Sequence, residues 1–254
     1  MDWTAFSFFW LAVALVILVW IRRWTHRHLQ GTMLLLSGEP EAAVVLYAIP
    51  LLPGVIIHEL SHVLMALLLG ARVRGFSLRP RRTKGGTQLG MVSIEETDLV
   101  RASLIGLAPL LTGSALILWI GYQVFNIGVA EDVLLAGDWG AGLTGMLDQL
   151  LHTQDFWLWA YLVFSVSNTM LPSESDRQAW GPLILLLLAV GLTVWALGPD
   201  PSLLTRLAFT LMTPLRWLAA ICTLTIALDI PFALLIALAE KALERIRQQK
   251  VEYT

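Results

Sequence analysis

Long apolar runs dominate the chain, and they limit its possible folds more than any other feature. Runs of about 17 to 25 mostly apolar residues recur along the 254 residues, and each could cross the hydrocarbon core of a bilayer as a helix. Hydrophobic residues make up 57% of the chain and charged residues only 14%. A large soluble helical protein needs more charge to cover its surface. The sequence therefore predicts an integral, multi-pass membrane protein.

Six spans are predicted from these runs, which makes the expected fold an all-α polytopic bundle forming one domain over residues 1–254. The spans cover residues 5–21, 44–69, 102–125, 156–180, 183–197 and 214–239. The fifth span is short, and segment 202–213 before the sixth is expected to lie in the membrane interface. Counts of five or seven spans stay open.

The connection 71–98, between the second and third spans, is polar and lacks helical periodicity. Phe76 and Leu78 alternate with polar neighbours, the breaker-rich stretch RPRRTKGGTQ follows, and an extended, β-branched pattern resumes at 89–94. Alternation around a cluster of turn residues is typical of a β-hairpin. We expect a small cytosolic hairpin with a loose turn, and a disordered basic loop is the alternative.

The basic residues suggest an orientation. With the N-terminus inside, twelve of the 17 Lys and Arg residues fall in predicted inner segments and five in outer ones. Because positive charge favours the cytosolic side, we expect both termini in the cytosol, in the plasma membrane. The net charge of −2 gives no sign of nucleic-acid binding. The lone Cys222 excludes a cysteine-based zinc site and is expected to be a packed residue.

The second span carries the sequence His58-Glu59-Leu60-Ser61-His62, which is an H-E-x-x-H motif. Residues four apart share one face of a helix, so His58 and His62 could bind one zinc ion, and Glu59 could act as a general base without being a ligand. Ionisable groups inside an apolar span are costly unless they are paired or bound to metal. The motif predicts a catalytic zinc site, and a buried hydrogen-bonded cluster is the alternative.

A third ligand is needed, because catalytic zinc usually takes three protein ligands and leaves one position open. Asp176 follows a helix-breaking Pro172, and at 1.5 Å per residue it could reach the depth of His62. Glu174 is the competing ligand, and a solvated cytosolic turn is the alternative for both. The remaining histidines are placed in outer connections and are poor candidates: His26, His28 and His152.

These motifs resemble those of the site-2 protease family of intramembrane zinc metalloproteases, which carries H-E-x-x-H in one span and N-x-x-P-x-x-x-x-D-G in a later one. Asn168 and Asp176 match the Asn and Asp of the second motif at the same separation. Pro172 is displaced by one position, and Arg177 replaces the glycine. The resemblance covers the second to fourth spans, about half of the chain.

The resemblance implies a zinc endopeptidase that cuts membrane-protein substrates in or near their transmembrane segments, from the cytosolic side. It implies that the hairpin offers a strand edge to an extended substrate. It also implies that Asn168 helps to hold the substrate or polarise its carbonyl; an interhelical hydrogen bond is the alternative role.

Two other functions compete with proteolysis. A membrane metal-binding or transport protein also places His and acidic residues in its spans, but no second polar constellation is evident along the sequence. A non-catalytic relative could bind transmembrane segments as a scaffold, although the intact Glu59 argues against it. Asp229, close to Pro231 in the sixth span, is expected to bond a freed backbone group or to line a water path.

Overall fold

A computed structural model describes residues 3–83, 86–128, 144–145, 148–150, 152–178, 180–196, 198, 201–251 and 253. The main helices are α1 (Trp3–Ser37), α2 (Pro40–Ala48), α3 (Leu52–Leu68), α4 (Leu99–Trp119), α5 (Phe156–Thr169), α6 (Trp180–Ala196) and α7 (Pro201–Arg247). The strands are β1 (Val73–Ser77), β2 (Arg81–Thr83), β3 (Gly86–Gln88) and β4 (Met91–Ile94).

Four helices in the described part of the chain are long and apolar enough to cross a membrane. They are Phe9–Ser37, Pro40–Leu68, Leu99–Val124 and Trp217–Arg247. A single 3₁₀ turn, Ile49–Leu51, joins α2 to α3, so the two form one rod in which the prolines fall at the junction. A π-helical turn, Ile120–Val124, extends α4. These lengths support a membrane-embedded helical protein.

The expected count of six spans is not confirmed. Helix α5 has only 14 residues, about 21 Å, and α6 has 17. The first predicted span, 5–21, ends too early, because α1 continues through its basic stretch to Ser37. Segment 202–213, expected in the interface, is the first part of α7. Hydropathy alone missed the longer α1 because contacts with other helices satisfy Arg22, His26 and His28.

Helices α1 and α7 pack side by side and run parallel. Trp10 donates a hydrogen bond to Thr223, His28 pairs with Glu240, and Arg247 donates to the carbonyl oxygen of Leu36. If each helix crosses once, the N-terminal end of α1 and the C-terminal end of α7 lie on opposite sides. The expectation that both termini share the cytosol does not fit this packing, and reversing α7 removes four of the twelve basic residues that supported it.

The predicted hairpin is present as two antiparallel ladders. Strands β1 and β4 pair from Val73↔Ile94 to Ser77↔Met91, and β2 pairs with β3. The turn between β2 and β3 includes residues 84–85, which lie outside the described residues. The alternation of polar and apolar residues correctly indicated extended structure here.

The hairpin folds back along α3 and does not project freely into solvent. At its base, Val73 and Ile94 pack against the cluster of Ala66, Ala71 and Ile105. Farther along, Leu78 and Leu89 pack against the apolar cluster that contains Leu51, near the start of α3. The hairpin therefore packs against the helices along much of its length. Extended backbone at this depth is tolerated where it is packed against protein.

The largest apolar core lies where α4, α5 and α7 meet, around Ile117, Val163 and Leu224. Cys222 is buried between α1 and α7 beside Leu18, which agrees with its expected packing role. Helix α6 differs from the others, since nearly all of its described side chains are exposed. The packed helices α3, α4 and α5 form the wall that carries the polar residues described next.

Candidate metal centre

Helix α3 presents His58 and His62 toward the same point. Their Nε2 atoms lie 3.2 Å apart. Two nitrogen ligands at about 2.0–2.1 Å from one tetrahedral zinc ion would lie about 3.3 Å from each other. The spacing of four residues on a helix thus produces the separation that a shared metal ion requires.

The outer nitrogen of each ring is held by a backbone carbonyl from a neighbouring helix. The Nδ1 atom of His58 donates to the carbonyl oxygen of Thr169 at 2.7 Å, and that of His62 donates to the carbonyl oxygen of Ile105 at 2.9 Å. A carbonyl can only accept, so Nδ1 carries the proton in both rings. Both Nε2 atoms therefore turn a lone pair toward the common point, as in metal-binding histidines.

Asp176 completes a group of three possible ligands. Its Oδ1 atom lies 3.3 Å from Nε2 of His62, and Oδ2 lies 3.7 Å from Nε2 of His58. One ligand atom from each of the three residues lies within 4.8 Å of the others. Three acceptors facing one another repel unless a cation or protons lie between them. This donor set, two imidazoles and a carboxylate, fits zinc.

A short capped turn fixes the position of Asp176. The backbone N–H and Oγ of Ser173 donate to Oδ2 of Asp176 at 2.7 and 2.5 Å, and Ser173 Oγ accepts weakly from the backbone N–H of Asp176 at 3.4 Å. This reciprocal pattern is a capping box. Because Ser173 occupies Oδ2, Oδ1 remains directed at the histidines.

Glycine at position 106 lets this turn lie against α4. A Cβ atom there would fall 2.1 Å from the carbonyl oxygen of Asp176, which is far too close. The neighbours of Asp176 point elsewhere: Glu174 is exposed, and Arg177 donates to the carbonyl oxygen of Ser173. The structure therefore brings Asp176 to the histidine pair and leaves Glu174 outside it.

The pKa of Asp176 reflects this environment. Burial by itself raises the pKa of the carboxyl group, but its contacts with His58, His62 and Ser173 outweigh burial and hold the pKa well below its ordinary value. The group is thus held as a carboxylate, the form that binds metal.

The three possible ligands, His58, His62 and Asp176, are called the metal group below. Glu59 lies beside this group, on the side of the hairpin. Its side chain is buried and lies close to His58, His62 and Asp176. Gly90, just before β4, makes room for it, since a Cβ there would lie 2.5 Å from Oε1 of Glu59. The hairpin therefore forms one wall around this carboxyl group.

Asn168 belongs to a second polar group, in which Ser167 and Asn168 of α5 meet Asp229 of α7. Ser167 Oγ donates to Asp229 at 3.1 Å, and Asn168 Nδ2 is 3.4 Å from the same carboxylate oxygen. All three side chains are buried. The interhelical contact given above as the alternative role of Asn168 is what the structure shows. Asp229 bonds side chains, which neither expected role for it included.

Two histidines expected in outer connections lie within α1. His26 contacts Tyr47 and the carbonyl oxygen of Asn168, and His28 pairs with Glu240 at 2.5 Å. The expectation for both was wrong because α1 continues beyond its predicted end. His152 is exposed beside Asp148.

Sequence reasoning missed Ser173 and the two carbonyl groups that orient the histidines. The pattern Ser173-x-x-Asp176 is a readable capping signal, so Ser173 could have been found. The carbonyls of Ile105 and Thr169 could not, because a backbone acceptor carries no residue-type signature. Comparisons of this chain with protein-family models, characterised proteins and solved structures find no match.

Proposed function

We propose that this protein is an intramembrane zinc endopeptidase that hydrolyses peptide bonds in or near transmembrane segments of other membrane proteins. The observation that carries the proposal is the convergence of His58, His62 and Asp176 on one point beside the buried carboxyl group of Glu59. These residues sit among long apolar helices, so the substrate would approach from within the bilayer or from its surface.

Each residue has a defined part in this chemistry. His58, His62 and Asp176 would hold the zinc ion, which when bound supplies a Lewis acid that polarises a carbonyl and acidifies water. Glu59, which is outside the ligand group, would accept a proton from the attacking water and pass it to the leaving amine. The backbone carbonyls of Thr169 and Ile105 would keep both rings in the metal-binding tautomer.

The hairpin supports a role in handling an extended substrate. A helical substrate hides its peptide bonds in its own hydrogen-bond ladder and must unwind before cleavage. An edge of the β1–β4 ladder, whose strand β4 starts next to Gly90 and Glu59, could pair with the unwound segment.

A metal transporter is the second candidate, and one observation favours it. The structure contains the second polar constellation that was not evident along the sequence, formed by Asp229, Asn168 and the α1 residues Arg22 and His26. However, Arg22 contributes a positive charge next to any such path, which opposes cation passage. Zinc flux into sealed proteoliposomes would separate the two functions.

The decisive test compares Glu59→Gln with His58→Ala in purified full-length protein. Glu59→Gln should reduce cleavage of transmembrane peptides by about 10²- to 10⁴-fold while zinc content stays unchanged. His58→Ala should lose both zinc and cleavage. A wild-type protein without zinc, or a Glu59→Gln variant that cleaves normally, would refute the proposal. Normal zinc with no cleavage of any substrate would favour the scaffold alternative.

The membrane orientation can be tested on a Cys222→Ser background. Cysteines introduced at Arg74, near the hairpin base, and at Lys250, beyond α7, should react with an impermeant reagent from opposite sides, because α1 and α7 run parallel. Labelling of both from the same side would contradict this topology. Whichever side labels Arg74→Cys also identifies the side nearer to the metal group.

A further inference from the structure

Helix α1 holds the C-terminal end of α5. Nε of Arg22 and Nε2 of His26 each lie 3.0 Å from the carbonyl oxygen of Asn168, in the last turn of α5. Carbonyl groups in the last turn of a helix have no donor from the helix itself. Two side chains of α1, those of Arg22 and His26, therefore supply the hydrogen-bond donors that this carbonyl lacks.

The tautomer of His26 is set by the same contact. Because the Asn168 carbonyl can only accept, Nε2 of His26 carries the proton, and Nδ1 can accept from the hydroxyl group of Tyr47 in α2. The side chain of His26 that contacts α5 is thus also held by α2. Helix α2 is continuous with α3, which carries His58 and His62.

The end of α5 that Arg22 and His26 contact bears on two ligands of the metal group. The next carbonyl along the chain, that of Thr169, accepts the Nδ1 proton of His58. Asp176 follows a few residues later, after the helix has ended. Fraying of the last turn of α5 would therefore displace the acceptor that orients one ligand and the backbone that carries another.

We propose that Arg22 and His26 are positioning residues for the metal centre, which act by fixing the Asn168–Thr169 end of α5. This inference rests on the metal-binding half of the proposed function and not on proteolysis. Neither residue is a ligand; both act through the backbone. Conserving the hydrogen-bond donor should therefore matter more than conserving charge or ring shape.

The test uses full-length protein in detergent, loaded with Zn²⁺ or Co²⁺. Arg22→Ala and His26→Ala should weaken zinc binding on the order of tenfold in chelator competition, the low end of the effect of removing outer-shell partners. They should also change the visible absorption bands of bound Co²⁺. Arg22→Lys and His26→Gln, which keep an N–H donor, should recover most of the affinity and the original bands.

Arg27→Ala is the matched control, because Arg27 lies on the same helix with an exposed side chain, and no hydrogen bond or ion pair joins it to α5 in the described part of the chain. It should bind both metals like the wild type. If the wild type binds no metal, the proposed function fails. If the wild type binds metal and the alanine variants match it, only the present inference fails.

Equal losses in His26→Ala and His26→Gln would also overturn the inference, since ring packing and not the donor would then be responsible. Should an alanine variant fail to fold, the donor-conserving variants still decide the matter. Their spectra and affinities must stay close to the wild type for the inference to survive.

Discussion

Two groups of polar side chains lie next to each other in the apolar bundle, and they use their polar atoms in different ways. In the metal group, Nε2 of His58, Nε2 of His62 and Oδ1 of Asp176 are all acceptors that face one another. In the second group, contacts join donors to acceptors: Ser167 and Asn168 donate to Asp229, and Arg22 and His26 donate to a carbonyl. Oδ1 of Asn168 is buried without a hydrogen-bond partner among the described residues.

The difference separates a binding site from a structural contact. Complementary donors and acceptors satisfy each other on burial and need no further component. Converging acceptors lose their water and gain repulsion, which is costly unless a cation offsets it. Both groups contain ionisable residues inside apolar helices, so the presence of such residues could not distinguish them. The direction in which the lone pairs point distinguishes the two groups.

The largest expected effect is the loss of metal from His62→Ala. Removing one imidazole leaves two ligands, too few for a catalytic zinc site, so zinc should fall from about one ion per chain to almost none and cleavage should vanish. Metal analysis of purified protein measures this. His28→Ala is the control, because His28 pairs with Glu240 and should keep its zinc. Equal metal loss in both variants would show that the loss does not come from removing a metal ligand.

The next effect concerns the third ligand. Asp176→Asn keeps the shape but removes the charge, so zinc affinity should drop by more than the roughly 10–100-fold caused by outer-shell changes. Glu174→Gln should change it little, since Glu174 is exposed. Chelator competition on both variants decides the assignment. Zinc loss in Glu174→Gln alone would transfer the ligand role to Glu174.

A smaller effect is expected on the hairpin side of the metal group. Gly90→Ala would place a Cβ 2.5 Å from Oε1 of Glu59 and push that carboxyl group out of position, lowering turnover by roughly 10- to 100-fold with zinc unchanged. Gly75→Ala is the matched control in the same hairpin, because its Cβ would meet Ser93 at an ordinary 3.7 Å. Similar turnover in the two variants would show that the position of the Glu59 carboxyl group does not depend on the hairpin.

The smallest effect is expected for Asp229, in the second group. Asp229→Asn keeps an accepting oxygen for Ser167, and in the described part of the chain the hydrogen bonds of the Asp229 side chain go to α5 side chains, so zinc affinity should stay within about twofold of the wild type. The measurement is the same chelator competition. A loss comparable to that of Asp176→Asn would join the two groups into one metal path and favour transport.

Local patterns allowed several elements to be predicted. The run around His58 and His62 was correctly placed on a long apolar helix, and alternation in residues 71–98 indicated the hairpin. Span ends were less accurate: α1 continues to Ser37 because contacts with α5 and α7 satisfy Arg22, His26 and His28. Those contacts join residues far apart in the chain, so no window of neighbouring residues reveals them.

The sequence by itself determined the membrane character, the face shared by His58 and His62 and the candidacy of Asp176, because hydropathy and helical spacing act over short distances. Only the tertiary structure decided that α1 runs parallel to α7, that the hairpin lies along α3, and that Asp176 and not Glu174 faces the histidines. It also decided which polar group is left with converging lone pairs. The physical reason is that the packing of whole helices determines which atom each lone pair faces. Many of the contacting atoms belong to the backbone, which is the same for every residue type.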